Sequence, residues 1–354
     1  MSSSTYIKSI ICTLSGVVDS TENAVYRHPI VISLAVLYVA HRLWRQRWRR
    51  SRTLPRSQER VLVVGASGGI GRSIAHEYAT AGARVCIVGR RDHQLNAVAE
   101  ECANLLPGEA ADGAGGKRGS SGDVLPVVAD FTNADDMVAL REKLEERWGG
   151  LDTLVVCAGV SALRPLLEVA GLDRHDGKFS PPQVSVAGVQ RTVEVACAAM
   201  HGNYIGPLVC AVTFIPLLSS TSTAPSVLLM SSLAAVAPAP TRSLYTSTKA
   251  SSLLLYQSLA IEHPSIKFTF ILPSTVEGDF RASAVDGGTV READPNKNGL
   301  KRTAVARRSI LAVDRGEKLV FMPPVTGRFA HLCYWFFPSF IEVLAARKYN
   351  FTAV

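Results

Sequence analysis

The chain has 354 residues, 47% apolar, 19% charged and 7% aromatic, which fits one large or two small globular domains and excludes a fibrous or wholly disordered protein. Its seven cysteines include no CxxC pair, so neither a zinc site nor a disulfide framework is implied, no metal is expected, and a reducing compartment suits it. Of the net charge of +8, +7 falls in residues 42–60, which hold eight arginines and one acid, Glu59; a nucleic-acid surface would spread its charge over a folded domain, so nucleic acid is not an expected partner.

From the amino terminus, Pro29 to Ala40 carries no charge, and its apolar character runs on to Leu43 and Trp44. A spanning helix needs roughly 20 residues, which a start near Ala24 would supply. Tyr38, Trp44 and Trp48 suit a membrane interface, and the arginines that follow place the rest of the chain in the cytosol. A secretory signal would carry its charge first, the reverse of this order. A spanning helix and one lying in the interface both fit. Residues 1–57 are therefore read as a membrane anchor with a basic linker, and the endoplasmic reticulum as the expected membrane.

Residues 60–64 (RVLVV) read as a buried strand, and a glycine-rich turn follows at once, Gly65-Ala66-Ser67-Gly68-Gly69-Ile70-Gly71. A helical pattern then runs to Gly82, and a strand covers 84–88. Strand, glycine turn, helix and strand open a dinucleotide-binding unit, because glycine lets a pyrophosphate approach the helix N-terminus. The alternation continues: strands at 124–129, 151–156, 227–230 and 267–272, helices at 134–148, 189–218 and 243–262. It predicts an α/β fold, a single Rossmann-like doubly wound parallel sheet. Residues 106–123 are Gly/Ser/Ala-rich and read as a surface insertion, and the core should close near Met322. An apolar C-terminal extension, 326–354, follows, rich in aromatics from Tyr334 to Phe337; it could pack on the domain as an extra helix, and with an anchor expected too the favoured reading is a greasy entrance at the membrane.

Tyr245 and Lys249 lie four apart on one helix face. A free phenol titrates near pH 10, and an ammonium beside it favours the phenolate. Ser232 ends a strand thirteen residues earlier and could hydrogen-bond a substrate oxygen. YxxxK alone is common by chance; after a glycine turn and a strand-ending serine it is informative.

With these motifs the sequence resembles the short-chain dehydrogenase/reductase family over residues 58–325, in a membrane-bound branch related to hydroxysteroid dehydrogenases. The resemblance implies a catalytic tetrad of Asn203, Ser232, Tyr245 and Lys249. Tyr245 would be the general acid/base, Ser232 would polarise the carbonyl, Lys249 would hold the ribose, and Asn203 would anchor a water. It also implies a cofactor site on Gly65, Ser67, Gly69, Ile70, Gly71, Asp130, Ala158, Gly159, Pro273 and Val276. Dimerisation through the helices of Asn203 and Tyr245 is a further family habit. The chain departs from the family pattern at Cys157, Ser274 and Gly278; the last stands where the family often has a threonine that contacts the carboxamide, which bears on the nicotinamide clamp.

At the end of the second strand an NAD enzyme carries a carboxylate for the ribose. This chain has Gly89-Arg90-Arg91, and the guanidinium fork of Arg90, seconded by Arg91, suits a 2′-phosphate, so NADP(H) is the expected cofactor. The expected activity interconverts a carbonyl and a secondary alcohol on a lipophilic substrate of the sterol, keto-lipid or retinoid class. The segment 274–300 is expected to form a mobile lid over it, and the loop 160–185 to sit at the edge of the site. The rival reading is a catalytically inactive, membrane-associated cofactor sensor or scaffold.

Overall fold

A computed structural model of the chain describes residues 32–33, 36–40, 50–107, 122–175, 178–291 and 294–351. The chain falls into two units, Met1–Arg49 and Arg50–Val354. In the first, residues 32–33 and 36–40 are helical with exposed side chains. The rest of the expected anchor lies outside the described residues, as do residues 108–121 of the expected insertion.

Among its described residues the second unit has nine strands: β1 (Arg60–Val64), β2 (Arg84–Gly89), β3 (Asp123–Val128), β4 (Thr153–Val156), β5 (Asp173–His175), β6 (Lys178–Ser180), β7 (Ser226–Met230), β8 (Lys267–Pro273) and β9 (Leu319–Met322). Seven of them form one parallel sheet in the order β3-β2-β1-β4-β7-β8-β9, while β5 and β6 make a separate hairpin. The chain runs outward from β1 to β3 and then crosses back to β4, so the sheet's C-terminal edge parts between β1 and β4. Such a switch point is where open α/β sheets take their ligands.

Strand β1 shows why these strands read as unbroken apolar runs. Val61 and Val63 enter one core layer and Leu62 and Val64 the other, so neither face meets water. Nine helices of eight or more residues are described: α1 (Gly69–Thr80), α2 (Asp92–Leu105), α3 (Ala134–Trp148), α4 (Val186–Met200), α5 (Gly206–Thr221), α6 (Ser243–Glu262), α7 (Arg302–Arg315), α8 (Pro324–Phe336) and α9 (Pro338–Lys348). Helices α1, α2 and α7 cover the Val61 face, and α3, α5 and α6 the Leu62 face. Helix α2 was not anticipated, although Leu95, Val98 and Cys102 give it a buried stripe at helical spacing.

The continuous rod Val186–Thr221, α4 to α5, is long and apolar enough to cross a membrane by length and composition. Buried Cys210, Phe214 and Leu218 instead seat α5 on the sheet.

Two expected boundaries move. The basic linker does not run to 57, because the compact unit begins at Arg50. The Arg50 guanidinium is buried, donating to Glu59, to the Asp152 carbonyl (3.1 Å), to Thr153 Oγ1 (2.8 Å) and to the Ala224 carbonyl (2.7 Å). Arg56 pairs with Glu59 and with Asp314 and lies over the Tyr78 ring. At the other end, α8 and α9 belong to the same unit: the His331 ring stacks on Phe321 of β9 at 5.8 Å.

Candidate active site

The turn after β1 takes its shape from two glycines. Gly65 has φ +88°, and a Cβ on it would stand 2.6 Å from the Ala158 nitrogen; one on Gly71 would stand 2.3 Å from the Gly65 carbonyl oxygen. Only glycine lets β1, the turn and α1 approach so closely. Above Gly69 the space is open, with nothing within 4 Å of where its Cβ would be. The first N–H groups of α1 have no partner within the helix and face this opening. A pyrophosphate fits there, so the chain's own residues meet the requirements of a dinucleotide.

At the edge of this crevice, Arg91 Nη2 donates to Ser67 Oγ at 3.1 Å, and a Cβ on Gly68 would lie 3.5 Å from the same guanidinium. Arg91 thus reaches across the glycine turn. Arg90 points elsewhere, with Nη1 3.7 Å from Asp130 Oδ2. Burial pushes the Asp130 carboxyl up, but the Thr132 N–H and hydroxyl, at 3.0 and 2.8 Å, outweigh it and hold it below its ordinary value.

Helix α6 carries Tyr245, Thr248 and Lys249 on its buried face. Lys249 Nζ donates to the Met230 carbonyl at 3.2 Å. A Cβ on Gly159 would lie 3.2 Å from that nitrogen and 2.7 Å from Asn203 Oδ1, so glycine is required where the loop after β4 passes them. Ser232 follows β7, and its Oγ accepts from the Ala234 N–H at 3.2 Å. Tyr245 is nearly buried, flanked by the Phe280 ring edge-on at 6.0 Å and by the Arg242 guanidinium 4.9 Å from its centroid.

All of these residues except Asn203 and Thr248 line one cavity of about 1520 Å³, together with Gly65, Ile70, Gly71, Ala158, Pro273 and Val276. Asn203 lies behind the wall, fully buried in a π turn, His201–Ile205. Its Oδ1 accepts from the Val160 N–H at 2.9 Å, and its Nδ2 donates to the Val160 carbonyl at 3.0 Å and to Thr248 Oγ1 at 3.1 Å. Its side chain therefore ties the loop after β4 to α6, and Asn203 is a positioning residue. Sequence reasoning missed Thr248, although it sits inside the YxxxK motif.

The remaining walls depart from expectation in two places. The loop 160–185 reaches the cavity through Val160 alone among its described residues. The segment after β8 does line it, but it is held: Val285 N–H donates to the Ser161 carbonyl (2.9 Å), and Asp286 accepts from the N–H groups of Leu163 and Arg164 (2.6 and 2.7 Å). Gly278 has φ +106° and donates its N–H to Asn296 Oδ1 at 2.9 Å, a conformation closed to the threonine of the family pattern. The C-terminal helices supply a wall that sequence reasoning placed outside the core, with Phe329, Ala330, Ile341 and Leu344 facing the cavity. Cys157, also in the lining, is pushed up to about 12 by burial and stays a neutral thiol.

Comparison with known proteins agrees with this geometry. Residues 59–287 match the family model described as short chain dehydrogenase. An 11-beta-hydroxysteroid dehydrogenase A of Sesamum indicum is 26% identical over 294 residues, 80% of this chain and 73% of that one. An 11-beta-hydroxysteroid dehydrogenase-like 2 of Arabidopsis thaliana is 28% identical over 220 residues, 62% of this chain, which spans 59% of that relative's length. Among solved structures, an alcohol dehydrogenase from the archaeon Thermococcus sibiricus, complexed with 5-hydroxy-NADP, superposes with a TM-score of 0.55 at 21% identity, over 74% of this chain and 94% of the other. That likeness speaks for the fold.

Proposed function

Because the chain belongs to the short-chain dehydrogenase family and is by that membership an oxidoreductase, we propose that it is NADP(H)-dependent and interconverts a carbonyl and a secondary alcohol on a lipophilic substrate. The observation that carries this is one cavity lined by the glycine turn, Ser232, Tyr245 and Lys249, with apolar walls from Phe280, Phe329, Ile341 and Leu344. Gly65 to Gly71 would hold the pyrophosphate, and Lys249, beside Gly159, the ribose. When bound, the cofactor supplies the hydride. In the reducing direction the Tyr245 hydroxyl gives its proton to the carbonyl oxygen, while the Ser232 hydroxyl hydrogen-bonds that oxygen and orients it. Phe280 and Arg242 flank the Tyr245 ring and fix its position at the cavity wall.

The choice of NADP(H) rests on Arg91, whose guanidinium lies beside Ser67 at the end of β2 where no carboxylate stands. Titration of the full chain is expected to show tighter binding of NADPH than of NADH. Arg91→Ala should weaken NADPH by about tenfold, the worth of a charge-assisted contact. Arg90→Ala should do less, since that side chain turns to Asp130. Equal binding of both cofactors by the unaltered chain would overturn the assignment.

Membrane attachment is part of the same reading. In addition to the apolar sequence 29–44, the end of α8 and its junction with α9 expose Trp335 (76%), Phe336 (75%) and Phe337 (65%), a surface suited to a lipid interface. The full chain is expected to float with phospholipid vesicles. Recovery of all of it from the soluble layer would refute this. Exposed Val212, Leu254 and Ile261 on α5 and α6 suit a homodimer.

A further inference from the structure

Two helices that pack on each other start at the mouth of the crevice. Helices α1 and α7 lie on the same face of the sheet, where Ile74 and Ala75 of one share a core layer with Val305 and Ala306 of the other. Further along them, Arg307 Nε donates to Glu77 Oε1 at 2.8 Å. Helix α1 joins β1 to β2, and α7 leads from the segment after β8 into β9. Both therefore run back from the C-terminal edge of the parallel sheet, and both begin where the crevice opens. Arg302, the first residue of α7, lines the cavity there, as do Gly69, Ile70 and Arg72 of α1.

The backbone of Arg302 is fixed. Its N–H donates to Glu277 Oε1 at 3.0 Å, and just before it Leu300 donates to the Thr275 carbonyl (2.9 Å) and accepts from the Glu277 N–H (3.0 Å). The side chain stands beside Gly278, where a Cβ would lie 3.5 Å from Arg302 Cδ and 3.6 Å from Nη1. Any other residue at 278 would cover the guanidinium; glycine leaves that side of it open. The acids at this rim do not seize it. Glu277 takes Lys301 Nζ at 2.9 Å, Glu101 takes Arg72 Nε at 2.8 Å, and Asp279 is exposed. Arg302 Nε keeps only a loose ion pair with Glu277 Oε1 at 3.8 Å, beyond hydrogen-bond reach. Among the described residues, neither of its Nη atoms makes a hydrogen bond.

We infer that Arg302 is a further cofactor-binding residue, a charged donor to the pyrophosphate beside the N–H groups that open α1. A pyrophosphate is a dianion, and a helix N-terminus offers it only about half a unit charge. A guanidinium adds a full charge and a planar fork that matches phosphate oxygens. The side chain is half-exposed, so solvent screens the contact and its worth is that of one charge-assisted bond. Arg302 and Arg91 then act on different phosphates of one molecule. This deepens the cofactor reading above and rests on it, and binding alone measures it.

The test titrates the full chain with NADPH, NADH and adenosine 2′-phosphate, which has no pyrophosphate. Arg302→Met keeps the length of the side chain and should weaken NADPH and NADH alike, by about tenfold. Adenosine 2′-phosphate should bind as before, and Arg302→Lys should keep part of the dinucleotide affinity. Arg91→Ala should give the other pattern, weakening NADPH and adenosine 2′-phosphate but not NADH. An Arg302→Met chain that binds both dinucleotides as tightly as the parent overturns the inference. So does one that loses NADPH alone, which would put Arg302 at the 2′-phosphate, or one that loses adenosine 2′-phosphate as well. If the unaltered chain binds NADPH and NADH equally and Arg302→Met weakens both, the subsite stands and only the choice of NADP(H) fails. Binding of neither dinucleotide by the unaltered chain overturns the cofactor reading and this inference together.

Discussion

Replacing Tyr245 with phenylalanine is expected to lower carbonyl-dependent NADPH consumption by roughly 10²- to 10⁴-fold, the range that one positioned general acid supplies. Phenylalanine keeps the packing against Phe280 and the face under Arg242 and removes only the hydroxyl. Cofactor affinity and the unfolding midpoint should therefore stay close to those of the unaltered chain. The same variant separates an enzyme from an inactive sensor, which has no turnover to lose. A Tyr245→Phe chain that turns over as fast as the parent would remove this residue from the chemistry. The neighbouring Thr248 gives a graded comparison. Its hydroxyl accepts from Asn203 at 3.1 Å, so Thr248→Val loosens the tie between the loop after β4 and α6 without touching the phenol.

The second large effect lies at the opposite edge of the sheet. Glu59 has no exposed surface, and its carboxylate is held by Arg50, by Arg56 and by the Thr153 hydroxyl at 2.6 Å. Exchanging both arginines for methionine keeps much of the side-chain volume but leaves a buried carboxylate with a single neutral donor. Breaking a buried pair from one side typically costs about 3–5 kcal/mol, and the Arg50→Met, Arg56→Met chain is expected to lose that much in denaturant unfolding. Adding Glu59→Leu should recover most of it, because the uncompensated charge, not the missing contact, carries the cost. No recovery would show that packing alone sets the effect. A catalytic domain cut at residue 58 would carry the same defect.

The neighbouring Arg60–Asp152 pair makes the same region sensitive to acid. Burial raises the Asp152 carboxyl, but the hydrogen bonds from Arg60 outweigh it and hold it below its ordinary value. A depressed carboxyl contributes stability that is complete above the unfolded-state value and is lost as pH falls through the folded one.

By itself the sequence determined what short-range rules can carry. Buried runs such as residues 60–64 had to be strands, Gly65 to Gly71 had to be a tight turn ahead of a helix, and Tyr245 and Lys249 had to share a helix face. Each depends on neighbours within a few residues, where φ/ψ limits and the 3.6-residue repeat act directly. Only the tertiary structure decided which polar groups are engaged and which are left for a ligand. Arg50 reads as part of a solvated basic run until the Ala224 carbonyl, 174 positions away, meets it. Asn203 is read from its motif alone, and only the fold shows that Val160 and Thr248, 43 and 45 positions away, take up its amide. The C-terminal aromatics read as a tail until β9 delivers α8 and α9 to the cavity wall. A side chain's role follows from what remains unsatisfied after folding, and those partners come from distant segments that only the closed sheet brings together.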